Sequence, residues 1–321
     1  MYGRRVSRNL AALVATALFP VALAAGSGAV AAAGASAAAG PQLLAKVNTH
    51  GQQPCGSAVL GRYLYVDNYG SGTMARIDPQ TNKVTKTIRV GSGPCGVVAG
   101  RGLLWVEDFQ DSGVAVVNPK QLKVVKKINV NGAPWDVAYG FRSAWTTNFY
   151  TGTVSRISGK SKRITKTIRT GGAPTCVRIG LGSVWVGSQK GTKIFRINPK
   201  TNSVKRITIG KEGPLCVDVH ADGVFVSNLN DASVTKLDPA TNSIVGTVTV
   251  GKSPADGKRG PDGLEWIPNQ GDGTVSLIDP ATNEVVNTLQ VGGLPFVVRR
   301  GFGSMWVDDF KGRTLARYQT G

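Results

Sequence analysis

The 321-residue chain reads as an all-β protein, a seven-bladed β-propeller of four-stranded blades closed by its own N-terminal strand. Three observations predict this. A repeat of 40 to 41 residues opens successive units at Gly51, Gly91, Asn131, Gly171, Gly210, Gly251 and Gly292, and such a period marks propellers or solenoids. Each unit holds four short, β-branched runs separated by turn residues, with no 3.6-residue periodicity. The seventh unit, residues 292–321, stops after its third strand, while residues 41–50 carry a surplus fourth-strand pattern, Leu43-Leu44-Ala45-Lys46-Val47. Pairing the surplus strand with the incomplete unit closes the ring and removes its open edges.

The elements follow in order. Arg4, Arg5 and Arg8 precede an apolar run over residues 10–24 ending in Ala22-Leu23-Ala24, the pattern of a secretory signal. Residues 1–24 are thus read as a signal peptide, 25–40 as an Ala/Gly-rich linker or extended signal region, and 41–321 as the propeller. An uncleaved membrane anchor is the alternative, and cleavage after Ala39 would also fit. Within each unit a proline (Pro54, Pro94, Pro134, Pro174, Pro214, Pro254, Pro295) opens the inner strand. A Gly-rich hairpin leads to a second strand carrying Trp105, Trp145, Trp185, Trp266 or Trp306, read as packing residues because they recur in register. The third strand ends in Asp-Pro or Asn-Pro, where the acid or amide bonds backbone and proline presets φ. These turns are structural.

Charge divides the ring. The chain has 38 Lys+Arg against 19 Asp+Glu, a net +19 that falls to +16 once the three signal arginines are removed. The first four units hold 24 basic and 6 acidic residues, whereas the fifth and sixth hold 5 and 11. Lys162, Arg163, Lys166, Arg169, Lys205 and Arg206 concentrate on the outer strands of blades 3 and 4. That flank suits an anionic cell-envelope polymer. Nucleic acid is excluded as a partner by the export signal and the lack of aromatic-basic interleaving, and the chain is expected to be monomeric.

Departures from the repeat are where function is sought. At the end of the second strand, Asp67, Glu107, Asp108, Asp308 and Asp309 place five carboxylates on three adjacent blades, followed by Tyr69, Phe109, Phe149 and Phe310. An acidic arc flanked by aromatic rings at the channel rim would suit a small molecule, a saccharide, or Mg²⁺ or another divalent cation at Asp108 and Asp309. The alternative is a solvated rim with the aromatic rings packed inward. Four residues after the blade proline, Arg178, Asp218, Lys258 and Arg299 replace Ala58, Val98 and Ala138 as a charge ladder, with pairing favoured over ligand binding because an unpaired buried charge is costly. Cys55 and Cys95 share one repeat position and Cys176 and Cys216 the next. In an exported chain this favours Cys55–Cys95 and Cys176–Cys216 bridges, with buried free thiols the alternative.

The Leu64-Tyr65-Val66-Asp67-Asn68 run and the Asp-Pro-x-Thr-Asn turns resemble YVTN-repeat propellers. Gly93-Pro94-Cys95-Gly96 and Leu104-Trp105-Val106-Glu107 resemble blades of the streptogramin B lyase (virginiamycin B lyase) group. The resemblance spans residues 41–321. It implies the propeller fold and, for a lyase, a histidine just after a blade proline as general base, with glutamates holding Mg²⁺. This sequence has Cys55, Cys95, Trp135, Thr175, Leu215, Ala255 and Phe296 at those positions, and its two histidines, His50 and His220, lie elsewhere. The expectation is therefore a secreted, non-catalytic ligand- or envelope-binding propeller, with a metal-dependent lyase or hydrolase at the channel mouth as the alternative.

Overall fold

The computed structural model describes residues 40–320. The segment read as a signal peptide, residues 1–24, and all but the last residue of the 25–40 segment lie outside them. Seven four-stranded antiparallel sheets form the ring. Blades 1 to 6 occupy residues 54–89, 94–129, 134–169, 174–208, 214–249 and 258–290, each with its strands in chain order. Blade 7 takes its inner three strands from residues 298–319 and its outer strand from Gln42–Asn48, which pairs from Gln42 opposite Gln319 to Asn48 opposite Thr314 with a register shift between Leu43 and Ala45. The expected closure is what the chain does.

Blade-to-blade packing explains the repeated residues. Trp105, Trp145, Trp185, Trp266 and Trp306 are fully buried. Each packs on the following blade: Trp306 of blade 7, for instance, meets Leu64, Val66 and Ile77 of blade 1. The indoles of Trp105, Trp145, Trp185 and Trp306 donate to Gly100, Gly140, Gly180 and Gly301 carbonyls at 3.0–3.2 Å, so the one polar atom of each is satisfied. Third-strand arginines lie over the same rings and latch onto the next blade's proline turn. Arg156 Nη1 reaches Pro199 O at 2.8 Å and Asn202 Oδ1 at 3.1 Å, and Arg196 does the same to Pro239 and Asn242. Arg317 bonds Pro79 and Asn82, latching blade 7 to blade 1. Asn82, Asn202 and Asn242 have left-handed φ of 54–65°, which asparagine tolerates better than most residues. The Asp-Pro-x-Thr-Asn turns are thus interblade latches.

Candidate functional site

Two ends of the central channel carry the candidate residues. At the first, where the inner strands begin, the inner strands of blades 1 to 5 shift register just after the proline. A bulge of this kind takes N–H groups out of the ladder, and buried donors need acceptors. Side chains at the end of the second strand supply them. Asp308 Oδ1 accepts from Phe296 N at 2.9 Å and Val297 N at 2.8 Å, and its Oδ2 from Gly56 N at 3.4 Å. Glu107 Oε1 accepts from Gly96 N at 2.8 Å, and Thr147 Oγ1 from Asp136 N at 3.2 Å. One residue on, Asp108 accepts from Gly93 N at 2.9 Å and from Ser92 N, while Asp309 Oδ1 accepts from Leu294 N at 3.0 Å and Lys311 N at 3.2 Å.

The arc is therefore not a solvated rim. Asp67, Glu107, Asp108 and Asp308 are at most 3% exposed and Asp309 is half-buried. Burial, aided by Asp108, raises the Asp67 carboxyl well above its usual range, and neither of its oxygens has a partner. Burial also raises Glu107 well above the usual range and lifts Asp308 to about 7 against the pull of its backbone donors. Asp108 and Asp309 each hold the loop that enters their own blade, through lone pairs turned toward that loop. Mg²⁺ requires near-octahedral, freely offered oxygens, and this pair does not fit it.

The aromatic residues turn inward as well. Tyr69, Phe109, Phe149 and Phe310 are buried and join Trp135, Leu215, Phe296 and the four cysteines in one apolar cluster across the channel. Trp135 stacks on Phe149 at 5.2 Å between ring centroids, and Tyr69 meets Phe310 at 5.8 Å. Two disulfides, Cys55–Cys95 and Cys176–Cys216, staple neighbouring inner strands with Cα separations of 4.7 and 4.9 Å, within the range a bridge can span. Gly56, at φ +74°, makes the first possible: a Cβ there would lie 1.9 Å from the Cys95 carbonyl oxygen. A cavity of about 20 Å³ remains beneath, lined by Gly96, Trp135, Asp136, Asp256 and Arg299 among others. That is room for a water molecule and too little for an organic ligand.

Below the plug the charge ladder is paired: Asp218 meets Lys258 within the ladder, whereas Arg178 and Arg299 take partners outside it. Arg178 crosses the channel to bond Asp136 of blade 3 and Asp256 of blade 6, and Arg299 stands 3.6 Å from Asp256. Burial alone would lower the Arg178 pKa, but Asp256 and Asp136 outweigh it and hold the guanidinium charged. Asp218 pairs with Lys258 at 2.5 Å rather than with Arg178. Asp136 and Asp256 occupy the repeat position held by Gly56, Gly96, Cys176, Cys216 and Val297. That departure was the available signal.

At the second end, on the boundary of blades 5 and 6, lies a cluster that the sequence reading passed over. His220 Nε2 is 2.8 Å from Asp218 Oδ2 and 3.4 Å from Glu265 Oε1. Arg259 Nε bonds Glu265 Oε1 at 2.7 Å and its Nη1 bonds Asp222 at 2.8 Å. Glu265 is fully buried, and burial followed by the Asp218 charge raises it to about 7. Again the repeat held the signal. His220 stands where blades 2, 3, 4, 6 and 7 have Gly100, Gly140, Gly180, Gly260 and Gly301, and Glu265 where the others have Leu64, Leu104, Ala144, Val184, Val224 and Met305.

Comparison with solved structures places this architecture. Virginiamycin B lyase of Staphylococcus aureus superposes with a TM-score of 0.76 at 13% identity, over 88% of this chain and 100% of that one. The fold is that of the streptogramin B lyases. A second streptogramin B lyase structure gives 0.75 at 11% identity over 88% and 97% of the two chains. Hydrazine synthase of Kuenenia stuttgartiensis gives 0.75 at 14% identity over 86% and 97%, so the same fold serves unrelated chemistry. No protein-family profile and no curated protein matches the chain. At these identities the likeness concerns fold, and function has to be argued from sites.

Proposed function

We propose that this is an exported propeller that binds an anionic polymer of the cell envelope through the outer strands of blades 1 to 4, without transforming it. The observation that carries the reading is a single register position. Lys86, Lys126, Lys166 and Lys205 lie opposite the equivalent third-strand residues Arg76, Val116, Arg156 and Arg196. In blades 5, 6 and 7 the same position holds Gly246, Asn287 and Ala45. All four lysines are exposed, and among the described residues none forms a salt bridge.

Outer-strand lysine also discourages edge pairing, but blades 5 to 7 act as an internal control. The outer strands of blades 5 and 6 hold no lysine and that of blade 7 holds only Lys46, at a different register position, although they expose Leu43, Leu44, Ile244, Val245 and Val286. The lysine row thus follows one side of the ring rather than the needs of an edge. Four equally placed cations on consecutive blades match a repeating polyanion better than a compact ligand. Two disulfides support an oxidising compartment, and no helix among the described residues is long and apolar enough to cross a membrane. A lyase at the plugged mouth has less support, because its carboxylates are engaged by backbone N–H groups and none of the seven positions after the blade prolines is histidine.

The test is binding to an acidic polysaccharide such as polygalacturonate across a salt series. Affinity should fall as salt rises. A Lys126→Gln, Lys166→Gln, Lys205→Gln variant should bind at least tenfold more weakly, while Lys211→Gln, Lys252→Gln, Lys311→Gln, which removes the same charge elsewhere, should change affinity less than twofold. Equal losses in both variants would reduce the flank to bulk net charge and defeat the proposal.

A further inference from the structure

The cluster at the second end of the channel has the makings of a metal site. Asp218, His220 and Glu265 each offer a ligand atom within 4.8 Å of the others. His220 ends the inner strand Pro214–His220 of blade 5, and Glu265 opens the second strand Glu265–Asn269 of blade 6. Both ligating strands are anchored in their sheets. Asp218 faces Phe225 across its ladder and Glu265 faces Arg259 across its own.

Three observations point to a ligand rather than to a finished ion-pair network. Glu265 is fully buried, yet its Oε2 has no hydrogen-bond partner among the described residues. Such an atom is costly unless something completes it. The remaining carboxylate contacts are arranged as supports: Lys258 Nζ holds Asp218 Oδ1, Arg259 N holds Asp218 Oδ2 at 3.0 Å, and Arg259 Nε holds Glu265 Oε1. Ligating carboxylates are ordinarily held by such outer hydrogen bonds. Finally, the blade has been remodelled around the histidine. Phe225 stands where blades 2, 3, 4, 6 and 7 have tryptophan, so the His220 carbonyl lacks the indole donor that Gly100, Gly140, Gly180 and Gly301 have, and the Arg259 guanidinium lies 5.3 Å from the Phe225 ring centre.

The distances suit a small tetrahedral ion. Bonds of about 2.0 Å at the tetrahedral angle place ligand atoms about 3.3 Å apart. His220 to Glu265 is already 3.4 Å, and His220 to Asp218, at 2.8 Å, has to open by only about half an ångström. One imidazole and two carboxylates favour Zn²⁺ or a neighbouring transition ion over Mg²⁺ or Ca²⁺, which take oxygen alone.

We propose that Asp218, His220 and Glu265 bind one divalent transition-metal ion, Zn²⁺ in type, at the blade 5–6 boundary. Three protein ligands would leave a fourth position for water or an exogenous ligand. The site is separate from Asp108 and Asp309 at the opposite end.

The experiment uses the full chain without an added histidine tag, stripped with chelator and dialysed against Zn²⁺ or Co²⁺. The expected result is one metal per chain and, with Co²⁺, the intense visible absorption of a tetrahedral centre. His220→Gln and Glu265→Gln should each lower affinity at least tenfold while circular dichroism shows the ring intact. Should Glu265→Gln fail to fold, His220→Gln alone decides, because His220 is partly exposed. Absence of stoichiometric binding by the unaltered chain, or binding undiminished in His220→Gln, would overturn the assignment.

Discussion

The two ends of the channel use carboxylates in opposite ways. At the plugged end, Glu107, Asp108, Asp308 and Asp309 accept hydrogen bonds from backbone N–H groups, most of them where the chain enters an inner strand, and apolar rings and disulfides pack beside them. At the other end, Asp218 and Glu265 face histidine, lysine and arginine side chains, and polar atoms of Glu265 and Arg259 remain unmatched. Buried oxygens without a partner among the described residues occur at both ends, on Asp67 and Glu107 at the plug and on Glu265 at the other, so what sets the second end apart is the partly exposed His220 and the charged side chains around it. Acidity alone does not distinguish the two cases.

The sharpest way to break this contrast is to remove the cation between the two ends. Arg178→Met leaves Asp136 and Asp256 buried without their main counter-charge, so unfolding free energy should fall by about 3–5 kcal/mol in denaturant titration. A loss below about 1 kcal/mol would show that water reaches the pair. Next in size, Cys55→Ser with Cys95→Ser opens a link that joins residues 40 apart and should cost about 2–4 kcal/mol. The same change at Cys176 and Cys216 should match it, since both bridges staple neighbouring inner strands.

A subtler effect is the pH dependence of the plugged end. Asp308 titrates at about 7 in the folded chain against 3.8 for an unperturbed carboxyl. Between those values the folded state holds a proton that the unfolded state has released, so the contribution of Asp308 to stability declines as pH rises from about 4 to about 7. Asp308→Asn imitates the protonated form. The stability of the variant relative to the unaltered chain should rise by about 3 kcal/mol between pH 4.5 and pH 8. An identical pH profile in both proteins would mean that the carboxylate is stabilised by its backbone donors. Smallest of all, Lys126→Gln, Lys166→Gln, Lys205→Gln should shift stability by no more than about 0.5 kcal/mol, leaving binding as its only large effect.

Much of this was legible in the residues because it repeats. The recurring tryptophans and the proline turns announce packing roles repeated around the ring, the cysteines fall at matching positions of neighbouring blades, and the Leu43 to Val47 segment could be matched to the gap it fills. The carboxylate arc was legible as a departure but not as a buried one. Its exposure depends on the bulge after each inner-strand proline, which two-residue strand alternation does not reveal. Partners of Arg178 were hidden for a different reason: Asp136 and Asp256 lie 42 and 78 residues away in sequence and meet it only across the closed ring.

Ring number, blade grammar and closure therefore follow from the chain alone, since each depends on local periodicity and on one missing strand, whereas the sequence only favoured the two cysteine bridges that the structure forms. The tertiary arrangement settled which end of the channel is sealed and which carboxylates retain a free oxygen. Those outcomes depend on contacts between blades, and no single repeat contains its neighbour's side chains.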